Sequence, residues 1–334
     1  MIDLKIQETW VITGVAGFIG KNIAHKLLMA GQHVIGIDNF STSSREEFSL
    51  FLNILNKDQS KNFEFYELDI KNYSKLLEIF RNFKVDYVLN QAAIGSVPRS
   101  FQDPISTNDN NVSGFVNVLM MAIETEAKKL VYASSSSVYG NNSDDYKCEI
   151  RIGSQLSPYA VSKYVNELYA DVLAKSKNIS TVGLRYFNVY GPWQSPEGQY
   201  AAVIPKWINA MINNEQTHIN GDGLVTRDFC YVENVVNANI LAALSNIPTG
   251  NLIANIALSR STSLNRLHEL ISKAITRKTG KKIAEAIYRE SRLGDIKDSK
   301  ADISVARKLF GYNPECEIDE GIDRTVTWYL NKIG

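Results

Sequence analysis

Tyr159 and Lys163 lie four residues apart, so on a helix their side chains share one face. A lysine ammonium beside a phenol favours the phenolate, which turns a tyrosine into a base near neutral pH. Ser135, in a run of four serines that precedes this pair, could share or relay the proton. A surface tyrosine and lysine would give the same pattern, and about one such pair is expected by chance in a chain of this composition. Whether the pair is catalytic therefore depends on the elements that position it.

The 334 residues include 36 acidic and 36 basic side chains, with no block of like charge. This balance argues against a nucleic acid or a membrane surface bound through bulk electrostatics. We see no leader peptide and no run that approaches the roughly 18 apolar residues of a membrane span. The three cysteines are far apart and odd in number, and the four histidines lack metal-ligand spacing. We expect a soluble cytoplasmic protein without a metal site.

A glycine-rich turn follows the first apolar run, residues 10–13. Gly14, Gly17 and Gly20 are spaced to allow a tight bend, approach of the backbone to a pyrophosphate, and close packing of the following helix. Asp38 ends the next apolar run, where a carboxylate can receive the ribose diol of an adenosine and repel a 2′-phosphate. The simpler interpretations are that the glycines only form a tight strand-to-helix connection and that Asp38 only caps a helix. The order strand, glycine turn, helix, strand and acid favours NAD.

Short apolar runs alternate with helical patterns through the first half of the chain. We expect strands at residues 63–68, 85–89, 129–133 and 180–185, and helices at 74–83, 105–125 and 159–175. This alternation predicts an α/β fold with a doubly wound parallel sheet of the Rossmann type, whose ligands bind outside the carboxyl ends of the strands. Polar or glycine residues fall at five such ends: Gly14, Asp38, Asp69, Gln91 and Ser135. A crevice for a cofactor and a substrate requires such a rim.

Beyond residue 192 the elements shorten, and prolines and glycines cluster. We expect residues 1–192 to form an NAD-binding domain and residues 193–334 to form mainly a smaller α/β substrate-binding lid. One segment near 220–250 is expected to return to the main sheet, and a strand at 251–257 to belong to the lid. Residues 186–192 should form a loop because Gly191 and Pro192 end it.

Taken together, these motifs resemble the extended short-chain dehydrogenase/reductase family, also called the NAD-dependent epimerase/dehydratase family. The likeness rests on the glycine turn, Asp38-Asn39, Ser135, the Tyr159 and Lys163 pair and residues 184–188, and runs from about residue 11 to residue 329. Five stretches are most similar to bacterial UDP-N-acetylglucosamine 4-epimerases of surface-polysaccharide biosynthesis: residues 95–100, 157–168, 200–206, 219–223 and 227–231.

The resemblance implies reversible C4 epimerisation of UDP-N-acetylglucosamine to UDP-N-acetylgalactosamine through a 4-keto sugar, with NAD kept bound. Tyr159 would act as the phenolate base, Lys163 would bind the nicotinamide ribose and lower the pKa of Tyr159, and Ser135 would bond the same sugar oxygen. The implied cofactor contacts are Gly14, Gly17, Phe18, Ile19, Gly20, Asp38, Asn39, Ser41, Thr42, Asp69, Ile70, Gln91, Ala92, Asn110, Tyr159, Lys163, Tyr186 and Val189.

The resemblance also assigns contacts with the UDP-sugar. Arg227 and Arg292 match arginines that hold the diphosphate, whose oxygens suit a planar guanidinium. Ser299 stands where galactose-only epimerases carry a tyrosine, so it leaves room for a 2-acetamido group. The implied substrate contacts are Gly95, Ser96, Ser135, Ser136, Ser137, Tyr159, Asn188, Gln194, Ala202, Val203, His218, Asn220, Arg227, Arg292, Asp295 and Ser299.

Several alternatives remain open. The same epimerisation could act on the uronic acid, with Arg99 as a candidate partner of its carboxylate. Family dehydratases carry Asp-Glu directly after the position of Ser135, and decarboxylases carry Glu at the position of Ser137, whereas this chain has serines there. A net oxidoreductase would need an exchangeable cofactor, usually NADPH, which Asp38 disfavours. NAD-binding scaffold proteins of this fold commonly lose the tyrosine–lysine pair, whereas this chain keeps it.

A homodimer is also expected from the resemblance, because relatives commonly pack two helices of each subunit into a four-helix bundle. Here these helices would lie near residues 105–125 and 159–175. Helices that flank a sheet need apolar faces in any case, so the sequence pattern alone does not decide it.

Overall fold

The structure is a computed structural model that describes residue 2 and residues 4–197, 201–290 and 300–333. The first half of the chain contains β1 (Thr9–Thr13), α1 (Phe18–Met29), β2 (His33–Asp38), α2 (Arg45–Asn53), α3 (Lys57–Lys61), β3 (Phe63–Glu67), α4 (Tyr73–Arg81), β4 (Tyr87–Asn90), α5 (Val97–Gln102), α6 (Pro104–Asn108), a π-helical turn (Asp109–Ser113), α7 (Gly114–Glu124), β5 (Lys129–Ser135), a 3-10 turn (Ser136–Tyr139) and β6 (Tyr146–Lys147). The second half contains α8 (Pro158–Lys177), β7 (Ser180–Tyr186), β8 (Val189–Tyr190), α9 (Val203–Ile212), β9 (His218–Asn220), β10 (Thr226–Arg227), β11 (Cys230–Tyr231), α10 (Val232–Leu244), β12 (Gly250–Ile256), β13 (Thr262–Ser263), α11 (Leu264–Thr279), β14 (Ile287–Arg289), β15 (Lys300–Ala301), α12 (Ser304–Phe310) and α13 (Ile318–Ile333).

A seven-stranded parallel sheet forms the centre of the fold, in the order β12-β7-β5-β4-β1-β2-β3. From β1 the chain builds β2 and β3 on one side of the sheet and the remaining strands on the other. The crevice between β1 and β4 is therefore a topological switch point, where ligands of such sheets bind. The predicted doubly wound parallel sheet is confirmed. In the ranges that the structure describes, no helix has the length and apolarity needed to span a membrane.

Successive residues of the strands point to opposite faces of this sheet. Trp10 and Ile12 of β1 belong to a core cluster shared with α1 and α10, whereas Val11 belongs to a second cluster under α4 and α7. All residues of β4, β5 and β7 are buried, as strands covered on both faces should be. The two cores hold the carboxyl ends of the central strands in a fixed relative position.

The elements predicted for the first half lie within two residues of the observed ones, although the helix expected at 105–125 is divided by the π-helical turn. The returning segment differs from the prediction. Its helix, α10, packs against α1 and β5, but the strand that joins the sheet is β12, which was expected to belong to the lid. Because β12 is an edge strand, its first four residues are only partly buried, and the sequence lacks the continuous apolar run of the central strands.

Val189 and Tyr190 also differ from the prediction, since they form the short strand β8 within the expected loop. They pair in parallel with Cys230 and Tyr231, a partner 41 residues away along the chain in each case. Local sequence carries no sign of such a pairing. The division into domains at residue 192 stays a prediction.

Candidate active site

A cavity of about 590 Å³ lies at the carboxyl edge of the sheet. It is lined by most of the residues that the sequence assigned to the cofactor or the substrate: Gly14, Gly17, Phe18, Ile19, Gly20, Asp38, Asn39, Ser41, Thr42, Ile70, Gln91, Ala92, Gly95, Asn110, Ser135, Ser136, Ser137, Tyr159, Lys163, Tyr186, Asn188, Val189, Gln194 and Ala202. The fold therefore brings into one cavity residues that are spread over 189 positions of the chain.

Further residues line the cavity without having been predicted: Ile37, Leu68, Ala93, Ile94, Val97, Ala133, Ser134, Ser195 and Ala201. Each lies within two positions of a predicted residue, so proximity in the sequence was the available signal. Most are apolar or small, and neither property distinguishes a cavity wall from a core position.

Six predicted contacts lie outside the cavity lining: Asp69, Ser96, Val203, His218, Asn220 and Arg227. The Asp69 carboxylate accepts a hydrogen bond from Asn39 at 3.0 Å, and Ser96 caps α5 by accepting from the Arg99 amide. The Arg227 guanidinium donates to the Thr226 carbonyl. Arg292, Asp295 and Ser299 lie outside the described residues, so their predicted roles are unchanged.

The glycine turn has the geometry of a phosphate cradle. Gly14 has a φ of +71°, and a Cβ there would lie 2.7 Å from the Ala92 nitrogen. A Cβ on Gly20 would lie 2.1 Å from the Gly14 oxygen. Gly17 caps α1 without a side chain, which leaves the first amides of that helix available to an anion. These features fit the pyrophosphate of NAD.

Asp38 ties this turn to the loop after β2. One carboxylate oxygen accepts from the Ala16 amide at 3.0 Å, and the other accepts from the Phe40 amide and the Ser43 hydroxyl. The helix that follows has its own cap, Ser44, so Asp38 is not a helix cap. The carboxylate faces the cavity where a ribose diol of NAD can donate to it.

Tyr159 lies in the first turn of α8, and the residues before it fix where this helix begins. The Ser157 hydroxyl accepts from the Ala160 amide at 3.1 Å, and Pro158 occupies the first helical position. Ser135 ends β5, so helix and strand together place its hydroxyl beside the Tyr159 phenol. Lys163 follows one turn later and donates to the Ala133 carbonyl at 2.8 Å.

Burial dominates the electrostatics of this pair. It raises the pKa of Tyr159, and a hydrogen bond with Ser135 only partly opposes the shift. Burial also lowers the pKa of Lys163 to about 8. Lys163 does not contribute to the Tyr159 shift, so the expected lowering of the tyrosine pKa by this lysine is not seen in the chain alone.

The π-helical turn lets two successive asparagines serve the site. Asn110 lines the cavity. The side-chain oxygen of Asn111 accepts from the Ile94 amide at 2.7 Å, and its side-chain nitrogen donates to the Ile94 carbonyl and to the Ser162 hydroxyl, both at 3.1 Å. Ser162 in turn donates to the Tyr159 carbonyl at 2.8 Å. The backbone of the candidate base is thereby joined to the loop after β4.

Asn239 supports the floor of the cavity, although sequence reasoning did not single it out. It is fully buried on α10, and its amide bonds the Tyr186 hydroxyl at 2.8 Å and the Gln91 amide at 3.0 Å. Gln91 and Tyr186 both line the cavity. Their orientation thus depends on a helix that is distant in sequence.

Gln194 presents a hydrogen-bond acceptor at the wall of the cavity. Its side-chain nitrogen donates to the Val189 carbonyl at 3.2 Å, and its backbone oxygen accepts from the Tyr329 hydroxyl. Its side-chain oxygen is buried and accepts no hydrogen bond from the residues that the structure describes. That oxygen can accept an N–H or O–H group of a ligand.

Chemically, the cavity joins a cradle for a dinucleotide to a phenol, a hydroxyl and an ammonium group. Together, these three groups can remove a proton from a substrate hydroxyl and return it, next to a cofactor that exchanges hydride. In the part of the chain that the structure describes, no three His, Cys, Asp or Glu side chains are grouped to hold a metal ion.

Comparison with known proteins agrees with this geometry. The profile of the NAD dependent epimerase/dehydratase family matches residues 10–257. The chain is 35% identical over 326 residues to a UDP-glucuronate 4-epimerase of Thermodesulfobacterium geofontis, covering 97% of each chain. It is 37% identical over 323 residues to a putative UDP-glucose 4-epimerase of Methanocaldococcus jannaschii, covering 96% of this chain and 98% of the relative.

Among solved structures, the fold is similar to that of the UDP-N-acetylglucosamine 4-epimerase from Methanobrevibacter ruminantium in complex with UDP-N-acetylmuramic acid. The two chains are 36% identical and superpose with a TM-score of 0.88, over 98% of this chain and 99% of the other. With the glycine cradle, Asp38 and the serine–tyrosine–lysine constellation, these similarities confirm the family that the motifs indicated. The chain belongs to the NAD-dependent epimerase/dehydratase family.

Proposed function

We propose that this protein interconverts UDP-N-acetylglucosamine and UDP-N-acetylgalactosamine by epimerisation at C4. The observation that carries the proposal is the meeting of Ser135, Tyr159 and Lys163 in one cavity with the NAD cradle and with small or amide-bearing walls. The relatives named above act, by their names, on UDP-sugars at the same carbon. Their names support a UDP-sugar 4-epimerase as the broader assignment.

In the proposed reaction, Tyr159 takes the proton of the sugar 4-hydroxyl while C4 loses a hydride, and a 4-keto sugar forms. Bound NAD would supply the hydride acceptor and a positive charge that favours the phenolate, and the overall reaction would consume none of it. Ser135 bonds the same oxygen, so the proton has a short path to Tyr159. The ketone then turns over in the cavity and regains hydride on its other face and a proton from Tyr159.

Room for an acetamido group supports the acetylated sugar. The walls include Gly95, Ser137 and Ala202, and a Cβ built on Gly95 would have no atom of the described residues within 4 Å beyond its own chain neighbours. Gln194 offers its unpaired oxygen to the amide N–H of the acetamido group, and Asn188 offers a second amide. The role of Ser299 in leaving space is a further part of this proposal.

A second candidate substrate is the corresponding uronic acid, which the UDP-glucuronate 4-epimerase relative favours. A carboxylate at C6 would call for a nearby cation. Among the described residues that line the cavity, Lys163 is the one cation, and it donates to the Ala133 carbonyl. Arg99, the candidate partner, is not part of this lining. We therefore place the hydroxymethyl sugar first.

An NMR time course of the anomeric proton tests the proposal, with purified protein, no added cofactor, and UDP-N-acetylglucosamine, its uronic acid or UDP-glucose in separate tubes. We expect the N-acetylgalactosamine form to appear fastest. Faster conversion of the uronic acid would replace our substrate by the second candidate. Conversion only after NAD or NADPH is added, with stoichiometric change of that cofactor, would instead indicate a net oxidoreductase.

We also propose the homodimer that the resemblance implies, formed through α8 and the helical segment at residues 105–125, which begins in α6, with α5 beside them. Three apolar side chains on one face of α8 are exposed to solvent: Val161 (48%), Leu168 (49%) and Val172 (64%). Phe101 and Ile105 on α5 and α6 add exposed apolar surface beside α8. A second copy of this chain would cover these side chains. A cytoplasmic location and a supply of sugar nucleotide for surface polysaccharides complete the proposal.

A further inference from the structure

Ser134, Glu167 and Arg185 form a buried cluster behind the proposed catalytic residues. The Ser134 hydroxyl donates to one carboxylate oxygen of Glu167 at 2.5 Å. The Arg185 guanidinium donates to both oxygens of the same carboxylate, at 2.9 and 2.7 Å. The side chains of Glu167 and Arg185 are only 5% and 3% exposed. The carboxylate is therefore held by three hydrogen bonds in a fixed geometry.

Ser134 itself lines the cavity, and each member of the cluster lies next to a cavity residue with a proposed role. Ser134 precedes Ser135 on β5, and Arg185 precedes Tyr186 on β7, where the two pairs lie in register. Glu167 lies one turn after Lys163 on α8. The cluster thus joins the three elements that carry Ser135, Lys163 and Tyr186.

Arg185 is itself anchored on two further sides. Its guanidinium donates to the Glu149 carbonyl at 3.1 Å and lies 4.8 Å from the centre of the Tyr139 ring. The Tyr139 hydroxyl then donates to Asn255 on β12 at 2.7 Å. The ion pair is consequently a fixed point between the edge of the sheet and α8.

A buried ion pair contributes little net stability, because desolvation of the two charges offsets their attraction. The position of this pair points to a different role, which concerns the distance between β5 and α8. Proton transfer between a sugar oxygen, Ser135 and Tyr159 requires each distance to stay within hydrogen-bond reach, and small displacements of reacting groups slow a reaction strongly. Ser135 lies on β5 and Tyr159 on α8, so some contact must fix the strand relative to the helix.

We propose that Ser134, Glu167 and Arg185 are positioning residues, which hold the end of β5 against α8 at the separation that proton transfer needs. The hydroxyl of Ser134 is the direct link from the strand to the carboxylate on the helix. This inference rests on the catalytic roles proposed above for Ser135, Tyr159 and Lys163. It adds to them three residues that act by holding other residues in place rather than by exchanging a proton or hydride.

Ser134→Ala removes the hydrogen bond between β5 and the Glu167 carboxylate, and it leaves the ion pair and the Lys163 bond to the Ala133 carbonyl in place. The matched control is Ser180→Ala, a buried serine at the opposite end of β7 whose hydroxyl donates to the Ile247 carbonyl. Each variant, with its retained NAD, is assayed with whichever UDP-sugar the wild type converts fastest. The choice of sugar tests the proposed substrate, and the ratio of variant to wild type tests the positioning role.

For Ser134→Ala we expect kcat to fall about tenfold or more, with KM within about twofold of the wild type and NAD content and melting temperature matching the Ser180→Ala control. Glu167→Gln should lower kcat at least as much, and the double variant should be no slower than Glu167→Gln alone because both act through one contact. A kcat for Ser134→Ala equal to that of the control would overturn the inference. So would a fall in melting temperature with no fall in kcat, since that result would indicate a structural role only.

Discussion

The Lys163 ammonium lies 5.9 Å from the centre of the Tyr159 ring and is held there by the Ala133 carbonyl. Burial is the main influence on the pKa of both groups, and for Tyr159 a hydrogen bond with Ser135 partly opposes it. The chain alone thus holds a protonated phenol beside a lysine with a pKa of about 8. In the reaction proposed above, the positive charge of bound NAD would favour the phenolate and its ribose would meet Lys163.

Tyr159→Phe should abolish epimerisation while NAD binding is retained. The ring still fills its place, but no hydroxyl remains to take the sugar proton, and loss of a general base costs about 10²–10⁴-fold in rate. Tyr169→Phe on the same helix is the control, because Tyr169 lies outside the cavity. The initial rate and the NAD released on denaturation are measured for both. Near-normal activity in Tyr159→Phe would refute the assignment of the base.

Lys163→Met should stabilise the NAD-free protein at neutral pH although it removes activity. Between pH 8 and 10.5 the unfolded chain binds a proton that the folded chain does not, so this lysine makes stability rise with pH by about 1.4 kcal/mol per unit. That contribution is present above pH 10.5 and is lost as the pH falls through 8. The advantage of Lys163→Met is therefore largest near pH 7, at about 2 kcal/mol after the Ala133 hydrogen bond is subtracted, and shrinks by pH 9.5.

Urea unfolding at pH 7, 8.5 and 9.5 measures this effect. Lys129→Met is the matched control, because burial also lowers the pKa of Lys129 to about 8 and this residue lies outside the cavity. It should show the same pH trend and keep its activity. A stability difference for Lys163→Met that does not change with pH would contradict the lowered pKa.

Gly20→Ala should abolish retention of NAD. The new Cβ would lie 2.1 Å from the Gly14 oxygen and 2.8 Å from the Val15 Cα, so the phosphate cradle must move, at a cost of about 1–3 kcal/mol in stability. Gly95→Ala is the control, since among the described residues only its chain neighbours lie within 4 Å of its Cβ position. NAD content per chain, measured after gel filtration, should fall only in Gly20→Ala. Equal NAD content in both variants would argue against the cradle.

Val172→Glu should convert a dimer into a monomer. A buried charge at the proposed interface is costly, whereas the same charge on the exposed surface of a monomer is not. Lys177→Glu, near the end of the same helix, changes charge without removing apolar surface and should leave the dimer intact. Sedimentation velocity distinguishes the two masses. A wild type that sediments as a monomer, or a dimer that persists in Val172→Glu, would exclude this interface.

The sequence predicts those parts of the site that depend on local order. Gly14 and Asp38 follow directly from a strand, a turn and a second strand, and Ser135 stands at the end of an apolar run. Because parallel strands end at one edge, these residues had to meet there. The backbone geometry of Gly14 then excludes any larger residue.

Other parts depend on contacts between distant residues, and they could not be read from local pattern. The apolar positions Val161, Leu168 and Val172 of α8 look like a core face, yet they point outward. The polar residues Lys163 and Glu167 point inward instead, because the Ala133 carbonyl and Arg185 satisfy them there. Hydrophobic periodicity does not reveal a buried face whose polar groups are paired across the fold.

In the proposed epimerisation, hydride leaves C4 of the sugar and returns to the same carbon. The most direct test uses UDP-N-acetylglucosamine with deuterium at C4, incubated in ordinary water without added cofactor and followed by NMR and mass spectrometry. We predict UDP-N-acetylgalactosamine that keeps its deuterium at C4, with no accumulation of reduced cofactor. Loss of deuterium to solvent, or reduced cofactor that forms in step with the product, would exclude this epimerisation.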